Sequence, residues 1–71
     1  MENDINMANN PFEPFVGKEV KAPYRDGSHL KVARGVLEDT DDHFVRVSGK
    51  LGTIIINVKN IEAMTEIDQS I

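Results

Sequence analysis

The chain has 71 residues, a formal net charge of −4 and no cysteine. This length excludes more than one domain, and the lack of cysteine excludes disulfide bonds and thiolate metal sites. A core of this size rarely contributes more than about 3–5 kcal/mol to stability, so we expect the protein to be stabilised by oligomerisation. The two histidines, His29 and His43, have no partner at metal-ligand spacing, so neither a metal nor another cofactor is expected.

The first residues, MENDINMANN, are polar and acidic and do not lead from a basic segment into an apolar one. We therefore expect no signal peptide and no membrane span, and a soluble cytoplasmic protein. Residues 1–9 contain few bulky apolar side chains and are expected to be disordered. Residues 10–68 are expected to form the folded domain and residues 69–71 a short tail.

Charge is segregated along the chain. The net charge is −3 over residues 1–13, +3 over residues 17–34, −4 over residues 38–42, +3 over residues 46–59 and −3 over residues 62–68. This pattern is compatible with a barrel that has one basic rim and one acidic rim. It is equally compatible with a solvated surface that has no partner.

In chain order, the first predicted element is a short helix at NPFEPF. Asn10 can cap this helix and Pro11 suits its first position. Pro14 lacks the N–H that would bond back to Asn10, so only about one or two turns are expected. Phe12 and Phe15 are three residues apart and fall on one face, which suits them to cover the open end of a core.

Beyond Gly17 the pattern predicts five short strands separated by tight turns. The strand segments read KEVKAPY, HLKVARGVLED, HFVRVS, TIIIN and IEAMTEI, and the turns read RDGS, DTDD, GKLG and VKN. Gly35 interrupts the second strand and predicts a bulge or a sharp bend. Val45 and Val47 predict the buried face of the third strand, and the three isoleucines of the fourth predict burial on both faces. Such strands are typical of an all-β, strongly bent, SH3-like small barrel.

The segment LGTIIINVKNI, residues 51–61, resembles the second motif of the Sm and Sm-like (LSm, Hfq-like) family of RNA-binding proteins. Archaeal members of that family tend to read Leu-Gly-Thr, three apolar residues and then Arg-Gly-Asp-Asn-Ile. This chain departs from the pattern at Asn57 and Val58, where the family usually has Arg-Gly. Upstream, GVLEDTDDHFVRV is similar to the first motif of the family, GKEV to the start of its first strand and PFEPF to its short N-terminal helix.

The first motif aligns in two ways. Without a gap, the motif aspartate, the base-stacking residue and the base-reading residue are Asp41, His43 and Val45. With one extra turn residue, they are Asp42, Phe44 and Arg46. Only the second alignment keeps Arg46 out of the core, where an unpaired guanidinium would cost several kcal/mol. We therefore adopt the second alignment.

The resemblance implies a homo-oligomeric ring in which the fourth strand of one subunit pairs with the fifth strand of the next. It also implies that single-stranded RNA, or DNA, binds near the pore without catalysis, in RNA processing or chaperoning. The candidate nucleic-acid-binding residues are His43, Phe44, Arg46, Asn57 and Lys59. They offer rings for base stacking, positive charge for phosphates and an amide for a base edge. Because the arginine of the family motif is absent, no preference for uridine follows.

The same residues also allow interpretations without a ligand. Phe44 can be a core residue, His43 a solvated residue beside an acidic turn, and Arg46 the partner of an acid on a neighbouring strand. The alternative function is a small β-barrel protein-interaction or assembly module that binds no nucleic acid and uses its acidic rim as the contact surface. An enzyme is not expected, because the acidic cluster around Asp41 is accompanied by no nucleophile with its base and no phosphate-binding glycine loop.

Overall fold

The fold is one antiparallel sheet of five strands, seen in a computed structural model that describes residues 10–67. The strands are β1 (Glu19–Asp26), β2 (His29–Thr40), β3 (Phe44–Gly49), β4 (Gly52–Asn57) and β5 (Thr65–Glu66). Two short 3₁₀ helices, Glu13–Phe15 and Val58–Asn60, precede β1 and follow β4. The prediction of five strands in an all-β fold is confirmed. The disorder predicted for residues 1–9 and the tail predicted for residues 69–71 lie outside the described residues.

The strands are ordered β4-β3-β2-β1-β5 across the sheet. Within residues 10–67, β4 and β5 do not pair with each other, so the sheet is not closed and these two strands form its edges. The sheet is nevertheless curved, since residues 24–26 of β1 and residues 54–57 of β4 line one cavity of about 230 Å³. In a flat sheet, strands three positions apart would be separated by about 14 Å.

Alternate residues of β1 to β4 point to one face of the sheet and form the core. The buried side chains on this inner face are Val20, Ala22, Ala33, Leu37, Val45, Val47 and Ile56. The alternation predicted for β3 is confirmed, because Val45 and Val47 are buried whereas Phe44 and Arg46 are exposed on the outer face. Arg46 therefore lies outside the core, as the gapped alignment requires.

The segment before β1 covers one end of the core. It forms a single 3₁₀ turn, Glu13–Phe15, in agreement with the short helix predicted from Pro14. The predicted cap is wrong, because Phe12 is the N-cap and no side chain caps this turn; Asn10 Oδ1 instead accepts a hydrogen bond from the Phe12 N–H at 2.9 Å. Phe12 and Phe15 are half-buried and pack against the core, as their spacing predicts.

Strands β2 and β3 approach each other closely at two glycines. A Cβ atom on Gly35 would lie 2.3 Å from the Ser48 carbonyl oxygen, and one on Gly49 would lie 2.6 Å from the Arg34 carbonyl oxygen. Gly35 also has a φ angle of +157°, which side chains rarely tolerate. The register between the strands shifts just after Leu37, so the predicted bulge lies further along β2 than Gly35. Gly35 itself permits the close approach of the two strands.

The prediction that the isoleucines of β4 are buried on both faces is wrong. Only Ile56 is buried, whereas Ile54 is 39% and Ile55 is 63% exposed. Ile55 lies opposite Arg46 on the outer face, which no element covers within residues 10–67, and Ile54 lies on the inner face of an edge strand that has no further strand beside it there. An apolar edge strand is a template for pairing with another chain.

Strand β5 is shorter than the segment IEAMTEI predicted. Thr65–Glu66 pair with β1, and Ile61 forms a separate bridge with Tyr24. The registers of these two contacts differ by one residue, and Pro23 lies between them on β1. The Pro23 carbonyl accepts a hydrogen bond from the Glu62 N–H at 2.8 Å, but proline has no N–H to return the bond. The ladder is interrupted for this reason.

Candidate nucleic-acid interface

A turn centred on Asp41 connects β2 to β3 and fixes the start of β3. Asp41 Oδ1 accepts hydrogen bonds from the backbone N–H of His43 at 2.8 Å and of Phe44 at 2.9 Å. These two N–H groups lower the pKa of Asp41, because they stabilise its charged form. The Asp41 N–H in turn donates to the Phe44 carbonyl at 2.9 Å. The turn is thus closed by Asp41, although the gapped alignment assigns the motif aspartate to Asp42.

A second set of contacts connects this turn to the segment before β1. The Asn10 side-chain amide donates to Thr40 Oγ1 at 3.4 Å and to the Asp41 carbonyl at 3.2 Å. Thr40 Oγ1 donates to the Phe44 carbonyl at 3.3 Å. Asn10, Thr40 and Asp41 therefore position Phe44 without belonging to the predicted site. The sequence shows their side-chain types but not that Asn10 and Thr40 meet across 30 residues.

Phe44 is the first residue of β3 and lies on the outer face. Its side chain is 47% exposed, and its cross-strand partner in β4 is Asn57. The His43 ring lies edge-on to Phe44, with ring centroids 6.3 Å apart and an interplanar angle of 65°. The structure therefore favours the exposed aromatic surface over the interpretation of Phe44 as a core residue. Two aromatic rings are available at one end of the β3–β4 hairpin.

Arg46 lies two residues further along the outer face of β3, between Asp39 of β2 and Ile55 of β4. Its Nη2 atom is 3.7 Å from Asp39 Oδ2, and both side chains are at least half exposed. Arg46 thus has an acidic partner on the neighbouring strand, which is the interpretation of this residue without a ligand. A solvated pair of this kind contributes about 0–1 kcal/mol, so a phosphate can compete with the carboxylate for the guanidinium.

A shallow cavity lies between Phe44 and Arg46. It has a volume of about 180 Å³, and its lining residues are Asp39, Thr40, Asp41, Phe44, Arg46 and Ile55. The cavity combines an aromatic ring, a guanidinium and two carboxylates. Its charge is therefore mixed, and any nucleic acid bound there must be held by stacking as well as by phosphate contacts.

Asn57 and Lys59 lie at the β4 end of the same hairpin. Asn57 Oδ1 accepts from the Lys59 N–H at 2.9 Å and caps the 3₁₀ turn Val58–Asn60, which confirms the tight turn predicted at VKN. The Val58 N–H donates to the His43 carbonyl at 2.9 Å, so the turn is attached to the start of β3. Within residues 10–67, the Asn57 amide N–H groups donate no side-chain hydrogen bond and the Lys59 ammonium forms no ion pair.

The structure therefore places four of the five predicted residues side by side. His43 contacts Phe44, Phe44 lies opposite Asn57, and Arg46 is the next outward residue of the same strand. The fifth, Lys59, is adjacent through its backbone, which donates to Asn57.

Comparison with known proteins gives no assignment. The chain matches no protein-family model, no curated protein and no solved structure. Within residues 10–67, no group of three or more histidine or acidic side chains could hold a metal ion. The same residues include no helix long and apolar enough to cross a membrane. The function must therefore be inferred from the geometry of the interface.

Proposed function

We propose that this protein binds single-stranded RNA or DNA without catalysis, as a homo-oligomeric ring of Sm-like, strongly bent barrels that acts in RNA processing or chaperoning. The observation that carries the proposal is the exposed ring of Phe44, fixed by the Asp41 turn and placed directly opposite the amide of Asn57. An exposed aromatic ring beside a hydrogen-bonding amide suits a base that is stacked and read at its edge.

Stacking would supply most of the affinity at each site. One base stacked on an aromatic side chain contributes about 1–3 kcal/mol. Arg46 and Lys59 add charge for phosphates, although Arg46 must first leave Asp39. Asn57 lacks the geometry of the arginine that the Sm family has at this position, so its amide offers a base edge one or two hydrogen bonds at most. Each site alone is expected to be weak.

The two open edges of the sheet support the ring. Strands β4 and β5 are the edges, and in the resembled family these same strands pair between neighbouring subunits. Ile55 would gain cover from such a neighbour. The pairing joins different surfaces of the two copies, so it closes into a ring only if the rotation between copies permits it. A ring would present several weak sites to one strand, which raises the overall affinity through effective concentration.

Fluorescence anisotropy with labelled single-stranded oligonucleotides of about ten nucleotides tests the binding site. We expect saturable binding that weakens between about 50 and 200 mM salt, because phosphate contacts release counterions. Phe44→Ala should weaken binding about 5- to 150-fold, and Phe44→Leu should do the same because it keeps apolar bulk but has no ring. Phe44→Trp is the matched control and should retain affinity.

Equal affinity of the Ala, Leu and Trp variants would show that Phe44 is not a stacking surface. No binding at low salt, even at high protein concentration, would exclude nucleic acid altogether. That second result would favour the assembly-module alternative.

A further inference from the structure

A second surface lies at the opposite end of the β3–β4 hairpin from the nucleic-acid interface. It is a groove of about 630 Å³ between the middle of β2 and the turn that joins β3 to β4, and we call it the distal groove. Its apolar lining includes Val32, Val36, Leu51 and Ile54, all of them exposed. Its volume is within the range of about 300–1,000 Å³ that ligand sites occupy.

Three cations accompany this apolar surface. Lys21 and Arg34 are directly opposite each other in the β1–β2 ladder, both exposed, and like charges in this position destabilise a sheet. Arg34 and Lys50 both line the distal groove. Glu19 also lines it, so the lining carries two cations and one carboxylate, with Lys21 beside it across from Arg34.

Among residues 10–67, the three cations at the distal groove lack the ion pairs that four other cations form, as does Lys59 at the other end of the hairpin. Four other cations each lie within 4 Å of a carboxylate, in the pairs Lys18–Glu66, Arg25–Glu62, Lys31–Asp26 and Arg46–Asp39. Lys21, Arg34 and Lys50 form no such pair within residues 10–67. Arg34 and Lys50 therefore line the groove with no such ion pair among the described residues. An external acidic ligand would supply that contact.

We propose that the distal groove binds an acidic segment of a partner protein that also carries aliphatic side chains. Carboxylates of the segment would pair with Arg34, Lys50 and Lys21, and its aliphatic side chains would cover Val32 and Leu51. Of the described residues that line the groove, none is aromatic, so bases would find no ring to stack on. The charge and the apolar surface together therefore favour a peptide over a nucleic acid. The proposal does not depend on the function proposed for the other end of the hairpin.

The test uses the full-length protein and a fluorescein-labelled peptide of about ten residues in which Asp and Leu alternate, since alternate residues of an extended segment face opposite sides. We expect saturable binding of this peptide. A peptide of alternating Lys and Leu and one of alternating Asp and Ser should bind at least about tenfold more weakly, since each lacks one of the two complementary features.

Charge reversal locates the site. Arg34→Glu should weaken binding of the Asp-Leu peptide about tenfold and leave oligonucleotide binding unchanged. Lys59→Glu makes the same change in charge at the other end of the hairpin, so it should leave peptide binding unchanged. Lys50→Glu, in a turn, provides a second groove variant should Arg34→Glu fail to fold, and circular dichroism checks each variant.

Several results would overturn the proposal. One is no saturable binding of the Asp-Leu peptide, and another is an equal loss of binding in the Arg34→Glu and Lys59→Glu variants, which would show a nonspecific response to net charge. A loss of oligonucleotide binding in Arg34→Glu would assign the groove to nucleic acid. A change in the oligomeric mass of Arg34→Glu would assign it to a second copy of this chain.

Discussion

Replacement of Gly35 by alanine tests whether the close approach of β2 and β3 holds the fold together. The new Cβ atom would lie 2.3 Å from the Ser48 carbonyl oxygen and 2.7 Å from its carbon, which are backbone atoms that cannot rotate away. Forcing extra atoms into a packed contact costs about 1–3 kcal/mol. The φ angle of +157° adds about 1–3 kcal/mol for a residue with a side chain.

The sum, about 2–6 kcal/mol, is comparable to the entire stability of about 3–5 kcal/mol expected for a domain of this size. We therefore expect Gly35→Ala to be largely unfolded at room temperature, or folded with a urea midpoint near zero. The assay is urea unfolding followed by far-ultraviolet circular dichroism, with the free energy of unfolding extrapolated to water.

Two other glycines separate the two costs. Gly49→Ala introduces only the contact, 2.6 Å from the Arg34 carbonyl oxygen, and should cost about 1–3 kcal/mol. Gly27→Ala introduces only a positive φ of +65°, with no atom within 4 Å, and should cost about 1–2 kcal/mol. A free energy of unfolding for Gly35→Ala within about 0.5 kcal/mol of wild type, or a larger loss in Gly27→Ala, would refute the reasoning.

Two further predictions concern the edge strand and the Asp41 turn. Ile55→Lys, on the exposed side of β4, should reduce the proposed oligomer to monomers, because a charged edge strand resists pairing. Leu30→Lys, at a similarly exposed position on β2, should leave the mass as in wild type, and identical masses for both variants would contradict this. Because the folded pKa of Asp41 is lowered, its stabilisation is present above the ordinary pKa of an aspartate and is lost as the pH falls through the folded value. Asp41→Ala should therefore be less stable than wild type at pH 7 and should lose less stability on acidification, as measured by urea unfolding. Asp42→Ala removes the same charge but no turn hydrogen bond among the described residues, so its stability should depend on pH as that of wild type does. No difference between the two variants would count against the turn.

The alternation of apolar and polar residues predicted β3 correctly, because the face with the apolar residues is buried and the face with the polar residues is exposed. Val45 and Val47 are buried and Phe44 is exposed, as a period of two requires. The same reasoning failed for β4, where Ile54 and Ile55 are apolar but exposed. Sequence periodicity reports which residues favour burial, whereas their actual burial depends on what lies beside the strand. At an edge, that neighbour belongs to another part of the chain or to another molecule.

In the candidate site, the residues that would contact a ligand are predictable from the sequence, whereas the residues that position them are not. The side chains that offer a ring, a charge or an amide were predicted from residue type and from the family resemblance, and Phe44 and Asn57 do meet across two strands. The residues that position them were not predicted. Asp41 acts through backbone N–H groups two and three residues away, which several nearby acids could equally do. Asn10 reaches Thr40 only because the fold brings together segments 30 residues apart.

Native mass spectrometry, with and without a single-stranded oligonucleotide of about ten nucleotides, tests the central proposal most directly. The open edges β4 and β5 are expected to pair between copies of the 7.9 kDa chain. The account predicts one closed oligomer whose mass increases by that of the bound oligonucleotide. A monomer of 7.9 kDa at micromolar concentration that binds no oligonucleotide would contradict both the ring and its binding site.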